Sequence, residues 1–133
     1  MIFDQLEHFN EAENWGDYTR MNGALLITLD YVRHYVDSRF HINCAYSNSG
    51  HSATGEHPKG NAIDFTIPNM PLRFAYEKLV RSFYALQIVD RIGFGLYLDW
   101  NTPGFHIDLR GTRARWGRIE GKYVAIQKAV ALL

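Results

Sequence analysis

Titratable residues interrupt or adjoin two short apolar segments that otherwise alternate like β-strands. Residues 61–67 alternate large apolar side chains with small or polar ones and include Asp64, and His57 precedes the segment. Residues 105–109 carry His106 between two apolar side chains. Alternation of this kind predicts strands with one face in the core. The sequence therefore predicts a sheet with imidazole and carboxylate groups set into or beside it.

The other predicted elements mix helices and strands without regular β-α-β alternation. This pattern favours an α+β fold, with a mostly antiparallel sheet flanked by helices. Arg33 and His34 lie off the apolar stripe of the first helix, and we expect them to be solvated. The predicted elements are a helix from Asn22 to about Asp37, a strand over 40–46 with Phe40, Ile42 and Cys44 on one face, a helix from Pro71 to about Leu86, a strand over 88–99 and a helix over 120–132.

Size and charge limit the class of protein. A chain of 133 residues suits a single domain over residues 1–133, and its first 20 residues are predicted to form an irregular arm. Fourteen basic and fourteen acidic residues give zero net charge, which disfavours a nucleic-acid partner. No apolar run approaches the ~18 residues of a membrane span. The N-terminus lacks the basic and apolar regions of a signal peptide, so we expect synthesis in the cytoplasm.

Three side chains form a candidate metal set. The single cysteine, Cys44, leaves too few thiolates for a cysteine-built zinc site, so we expect His, Asp or Glu ligands. His57, Asp64 and His106 would supply three ligands and leave one position open, as in catalytic zinc sites. The alternatives are a hydrogen-bonded core histidine at 106 and a strand-end carboxylate at 64 that bonds a turn.

In combination these motifs resemble a known family. The pattern His57-x-x-Gly60-x-Ala62-x-Asp64, followed by His106-x-Asp108, is similar to that of the zinc D-Ala-D-Ala carboxypeptidases. That family includes murein endopeptidases and shares a fold with the hedgehog signalling domain. The resemblance covers roughly residues 5–118 and is closest to small, single-domain members such as those encoded by bacteriophages. Further matching motifs are Leu29-Asp30-x-x-Arg33, Gly93-Phe-Gly95-Leu-Tyr97 and Arg113-Ala-Arg115-Trp116.

The resemblance implies zinc ligands at His57, Asp64 and His106, but it leaves the general base open. Many relatives carry Glu or Asp three residues before the last histidine, where this chain has Pro103. We favour Asp108 as the base, because period-2 alternation places it on the same strand face as His106. Its alternative role is to orient a ligand histidine. Asp99 is the second candidate for the general base, because a four-residue turn over 101–104 would place it opposite His106. The alternative is that Asp99 is a solvated charge beside the turn.

Further site residues are predicted around this centre. His51 is a candidate for stabilising the oxyanion, or else an exposed loop histidine. Tyr97 is a candidate hydrogen-bond donor, or else a core aromatic. Arg110, Arg113 and Arg115 form a predicted basic edge that could bind peptide carboxylates. The alternative is that these arginines are solvated or form salt bridges. Ser47 stands where relatives can offer an Arg to a terminal carboxylate, so endopeptidase action stays open.

The resemblance implies a zinc peptidase that cleaves peptidoglycan stem-peptide or cross-link amides through metal-bound water. The expected partner is a peptidoglycan peptide, and the protein is expected to act as a monomer. It would reach the cell wall after release, as an endolysin does, or as part of a virion. The rival hypothesis is an inactive binding module on the same fold, which recognises cell wall or a protein partner.

Overall fold

The first long helix forms where a capping residue precedes an apolar stripe. In the computed structural model, which describes residues 2–50 and 55–133, α1 spans Gly23–Val36. The Asn22 side chain accepts hydrogen bonds from the backbone N–H groups of Ala24 and Leu25, which satisfies two donors of the first turn. Asp37 ends the helix in the left-handed conformation. The sequence prediction of this helix is confirmed.

Six strands form one sheet in the order β1-β2-β4-β3-β5-β6. All neighbouring strands are antiparallel except β3 and β5, which are parallel. The predicted α+β class with a mostly antiparallel sheet is confirmed. The strands are β1 (His41–Cys44), β2 (Ala62–Thr66), β3 (Gly93–Tyr97), β4 (Gly104–Asp108), β5 (Ala114–Ile119) and β6 (Lys122–Val124), and the other helices are α2 (Leu72–Ala85) and α3 (Ile126–Val130).

The hydrophobic core lies against one face of the sheet. Phe65, Phe94 and Phe105 from three adjacent strands are fully buried there. Phe83 of α2 packs edge-on against Phe94, with ring centroids 4.9 Å apart. Burial of aromatic surface of this size is the main force that fixes the helices on the sheet. Asp64 and His106, which pair with each other across β2 and β4, occupy the opposite face. Among the described helices, none is long and apolar enough to cross a membrane.

The N-terminal arm is irregular, as predicted, but it is anchored in the core. It contains only two short 3-10 turns, Ile2–Gln5 and Tyr18–Arg20, and it buries Phe9 and Trp15. Arg33 of α1 lies over the Phe9 ring at 4.9 Å and pairs with Glu13 at 3.8 Å. The prediction that Arg33 is solvated is therefore wrong, because the arm covers this side of the helix.

The C-terminal region differs from the predicted helix over residues 120–132. Instead, β5 and β6 form a hairpin, and only Ile126–Val130 is helical. Glu120 and Gly121 join the two strands with φ angles of 50° and 78°. Two consecutive positive φ angles are typical of the tight turn that matches the twist of a hairpin, and they break a helix. The apolar spacing in this region was consistent with either structure.

A β-bulge in β1 changes the face on which Cys44 lies. Ile42 pairs with Phe65, but Cys44 pairs with Asp64, and the register shifts between them. Opposed residues in an antiparallel pair share a face, so Cys44 joins Asp64 rather than the core. The prediction that Phe40, Ile42 and Cys44 share one face is wrong for Cys44.

Candidate metal centre

A row of residues across the polar face of the sheet builds the floor of the site. Cys44, Asp64, His106, Gly95 and Trp116 are successive partners on five neighbouring strands. Backbone pairing fixes their relative positions, because neighbouring strands lie about 4.8 Å apart. The predicted strands thus bring Asp64 and His106 side by side from positions 42 residues apart in the chain.

His57 reaches this row from a 3-10 turn that precedes β2. The turn spans His57–Lys59 and ends at Gly60, whose φ of 66° is in the left-handed region. The Gly60 carbonyl accepts a hydrogen bond of 2.8 Å from the backbone N–H of Asn22, so the turn is attached to the start of α1. A side chain at position 60 would collide with the Arg20 carbonyl, which explains the glycine of the motif.

Each of the two imidazoles directs one ring nitrogen at Asp64. His57 Nε2 is 3.3 Å from Asp64 Oδ1, and His106 Nδ1 is 2.8 Å from the same oxygen. The other nitrogens contact acceptors outside the cluster: His57 Nδ1 lies 2.7 Å from the Ala45 carbonyl, and His106 Nε2 lies 2.7 Å from Asp108. Metal-ligating histidines are held in this way, because the outer acceptor fixes the ring and its tautomer.

The pKa values of the cluster favour positive charge beside the Asp64 carboxylate. Burial lowers the pKa of His57, but hydrogen bonds to Asp64 and Cys44 outweigh this and raise it to about 10. Burial raises the pKa of Asp64, yet its hydrogen bonds to His106 and His57 bring it down to about 2. Burial also lowers the pKa of His106, but its hydrogen bonds to Asp108 and Asp64 outweigh this and raise it. Positive charge on both rings is therefore favoured beside Asp64. A divalent cation supplies the same charge without those protons, and metal binding therefore releases protons.

Asp108 contacts His106 from below and is completely buried. Arg110 donates two hydrogen bonds to it, of 2.8 and 2.7 Å, and the backbone N–H of Gly93 donates a third. Burial raises the pKa of Asp108, but Arg110 and His106 together hold it far below its usual range. This geometry favours the alternative role of orienting His106 over that of a general base. Arg110 is engaged by Asp108 and does not line the cleft described below.

Two glycines of the Gly93-Phe-Gly95 motif make room for these contacts. A Cβ atom at Gly93 would lie 2.6 Å from both carboxylate oxygens of Asp108 and 2.7 Å from Arg110 Nε. A Cβ atom at Gly95 would lie 2.5 Å from Trp116 Nε1. Both distances are far inside van der Waals contact, so any side chain would displace its neighbours.

We expect Gly93→Ala to destabilise the fold by about 1–3 kcal/mol, the usual cost of overpacking, and to weaken metal binding by displacing Asp108. Chemical denaturation and zinc titration measure the two effects. Gly23→Ala is the matched control, because its Cβ would approach nothing closer than 3.9 Å. Equal stability and zinc affinity for both variants would contradict the close packing assigned to Gly93.

The cluster lies at the base of an open cleft of about 420 Å³. Tyr97 stacks on Trp100 at 4.5 Å, and its oxygen accepts a hydrogen bond of 2.9 Å from Trp116 Nε1. Burial, with a contribution from Tyr123, raises the pKa of Tyr97, so its hydroxyl stays protonated. The described residues that line the cleft are Gly50, His57, Asp64, Tyr97, Asp99, Trp100, His106, Arg118 and Tyr123.

Asp99 lines the cleft, but it lies in a loop and is not opposite His106 as predicted. The loop between β3 and β4 covers residues 98–103, so Gly95 rather than Asp99 is opposite His106. The prediction of a four-residue turn is wrong. The loop nevertheless returns Asp99 to the cleft, where its Oδ2 accepts hydrogen bonds from Arg118 Nε at 3.0 Å and from the Gly121 N–H at 2.9 Å. Sequence reasoning missed Arg118, which β5 places beside Asp99.

The other predicted substrate residues do not reach the cleft. Arg115 donates hydrogen bonds to the carbonyls of Ile92 and Val89, and with Arg113 it lines a separate cavity beside α2. Arg113 pairs with Asp90 at 3.6 Å, which is the salt-bridge alternative left open for the basic edge. Arg115 is turned from the cleft because alternation along β5 sends it and Trp116 to opposite faces. Ser47 bonds the Ser49 carbonyl and does not line the cleft. His51 lies outside the described residues.

Cys44 joins the donor cluster, which the sequence did not predict. Cys44, His57 and Asp64 have ligand atoms within 4.8 Å of one another, so these side chains form a group that can hold a metal ion. The expectation of His, Asp and Glu donors alone is thereby corrected. Cys44 Sγ lies 3.9 Å from His57 Nδ1, the nitrogen that contacts Ala45, whereas His57 Nε2 faces Asp64. His106 is not a member of this group, although its Nδ1 lies 2.8 Å from the same Asp64 oxygen that His57 Nε2 faces. The predicted set of His57, Asp64 and His106 and the observed group therefore share only His57 and Asp64.

With His106 as the third ligand, as the sequence predicts, we expect Cys44→Ala to bind zinc with an affinity within about tenfold of the wild type, because Cys44 would then contribute only through packing. Zinc content after dialysis measures this. Loss of zinc from Cys44→Ala, with retention in His106→Ala, would make Cys44 the third ligand.

No protein-family model, no curated protein and no solved structure matches this chain.

Proposed function

We propose that this protein is a zinc-dependent peptidase that hydrolyses stem-peptide or cross-link amides of peptidoglycan. One observation carries the proposal: His57 Nε2 and His106 Nδ1 both face Asp64 Oδ1, at 3.3 and 2.8 Å, at the base of an open cleft. Both rings are also anchored from behind by acceptors, as ligand histidines are. The motif resemblance supplies the substrate class.

The donor set fits zinc. Two imidazoles and one carboxylate favour zinc over magnesium or calcium, which prefer oxygen ligands. Three protein ligands leave a fourth position for the reaction. Zinc held there supplies a Lewis acid for the amide carbonyl and lowers the pKa of a water molecule toward neutrality. Asp108 and the Ala45 carbonyl keep the two rings in the required orientation.

Asp99 is the carboxylate that we assign to proton transfer. It lines the cleft, whereas Asp108 is completely buried. Both hydrogen bonds from the described residues fall on its Oδ2, so Oδ1 is left to accept the proton of the attacking water and pass it to the leaving amine. Tyr97 lines the same cleft, and we assign its hydroxyl the role of donating a hydrogen bond to the developing oxyanion.

Chelation is the direct test of this proposal. We expect the purified protein to release soluble peptides from isolated sacculi, to stop when a chelator removes the metal, and to resume when zinc is added. Activity that persists through chelation would contradict the proposal, and so would sacculi left intact by the zinc-loaded protein.

The cleft also predicts which amide is cut. Arg118 is the arginine among its described lining residues, and it is already paired with Asp99 at 3.0 Å. Among the described lining residues, a free terminal carboxylate therefore meets no arginine without a carboxylate partner, and desolvating it without such a partner costs several kcal/mol. We expect cross-linked dimers to be cleaved in preference to terminal D-Ala, as measured by mass spectrometry of muropeptides. Release of alanine from pentapeptides, with dimers intact, would reverse the preference.

A binding module without turnover is the second candidate function. Pro103 occupies the place of the general base in many relatives, and Asp99 is held by Arg118. In that case the zinc-loaded protein would sediment with sacculi but release no peptides. Sedimentation and product release, measured on the same sample, separate the two functions.

A further inference from the structure

A second group of metal-binding side chains lies where the N-terminal arm crosses α1. Glu7, His8 and His34 have ligand atoms within 4.8 Å of one another, and none of them lines the cleft. His8 Nε2 is 3.0 Å from His34 Nδ1. Glu7 Oε2 lies 3.9 Å from the first of these nitrogens and 3.7 Å from the second. Two imidazole nitrogens and one carboxylate oxygen thus surround a common point.

Asp30 holds this group in place. Its two carboxylate oxygens accept hydrogen bonds from the backbone N–H groups of Glu7 and His8, at 3.0 and 2.9 Å. Asp30 and His34 are four residues apart on α1 and therefore lie on the same side of the helix. The arm is thereby fixed with His8 directly against His34, so a ligand would find the backbone already ordered.

The contact between the two rings is suited to a cation. When both imidazoles are neutral, the facing nitrogens can share only one hydrogen, and Glu7 adds negative charge beside them. A metal ion can be bound by both nitrogens and the carboxylate at once. Two imidazoles with one carboxylate favour zinc and neighbouring transition metals over magnesium or calcium.

We propose that Glu7, His8 and His34 form a second zinc site, which joins the N-terminal arm to α1. The side chains of Glu7 and His34 are 70% and 65% exposed, whereas His57 and His106 in the cleft are buried. Ordering exposed side chains costs conformational entropy. The second site therefore binds zinc more weakly than the cleft and leaves positions open to water.

Zinc titration of the metal-free protein by calorimetry tests this site. We expect two zinc equivalents for the wild type, one for His34→Ala and two for the control His41→Ala, whose histidine is exposed on β1 outside both groups. The proposal would be overturned if His34→Ala still bound two zinc equivalents. It would also be overturned if the wild type bound only one zinc equivalent and His34→Ala bound that one as well.

His106→Ala separates this proposal from the proposed function. With the cleft site removed, we expect one weaker equivalent to remain and the imidazole NMR signals of His8 and His34 to shift as zinc is added. Loss of all zinc binding in a folded His106→Ala variant, or unchanged signals of both rings, would contradict the second site and leave the cleft site standing.

Discussion

His106→Ala is expected to remove zinc from the cleft and to reduce peptidoglycan hydrolysis to background. The substitution deletes one of three ligands, and loss of the metal removes several kcal/mol of transition-state stabilisation. Even changes outside the ligand shell typically cost 10–100-fold in metal affinity, so loss of a ligand should cost more. Elemental analysis of the protein and peptide release from sacculi measure the two effects in parallel.

His41→Ala is the matched control, because it removes an exposed imidazole on β1 without touching the cluster. His106→Gln serves as a second variant, since Ala leaves a void beside the buried Asp108. Circular dichroism checks that each variant is folded. If folded His106→Ala and His106→Gln retain wild-type activity, His106 is not a ligand of the catalytic metal.

Asp99→Asn is expected to lower kcat by about 100-fold or more while zinc content stays unchanged. The amide keeps the size of the side chain but cannot accept the proton of the attacking water, and general-base catalysis typically contributes 10²–10⁴-fold. The reaction rate on defined muropeptide dimers, together with the zinc content, is the required measurement.

Asp108→Asn should behave differently, because Asp108 contacts His106 rather than the cleft. We expect zinc affinity to fall by about 10–100-fold and activity to recover in part at high zinc concentration. If Asp108→Asn loses turnover with full zinc occupancy and Asp99→Asn does not, the roles assigned to the two carboxylates are reversed.

Much of the fold could be predicted because its signals are local. The cap at Asn22 and the apolar stripe behind it define α1 within a few residues. Alternation defines β2 and β4, and from them the placement of Asp64 and His106 on one face follows. The motif that joins His57 to Asp64 spans only one turn and one strand, so its geometry is also local.

The remaining features depend on a bulge, a turn and a loop length that the sequence pattern indicates only weakly. The bulge in β1 moves Cys44 to the polar face, although simple alternation assigns it to the core. The turn at Glu120 and Gly121 converts a predicted helix into a hairpin and brings Arg118 to the cleft. The length of the 98–103 loop changes the register, so Asp99 reaches the cleft from a loop rather than from a strand. Pairing across the sheet decides each of these outcomes.

We propose that His57, Asp64 and His106 hold a zinc ion that is open to the cleft. Anomalous diffraction from zinc-loaded crystals, recorded above and below the zinc absorption edge, tests it most directly. We predict a peak bounded by His57 Nε2, the Asp64 carboxylate and His106 Nδ1, with its remaining side facing Tyr97 and Asp99. A peak closed off by Cys44 Sγ as a fourth protein ligand, or no peak in the cleft, would contradict an open catalytic centre.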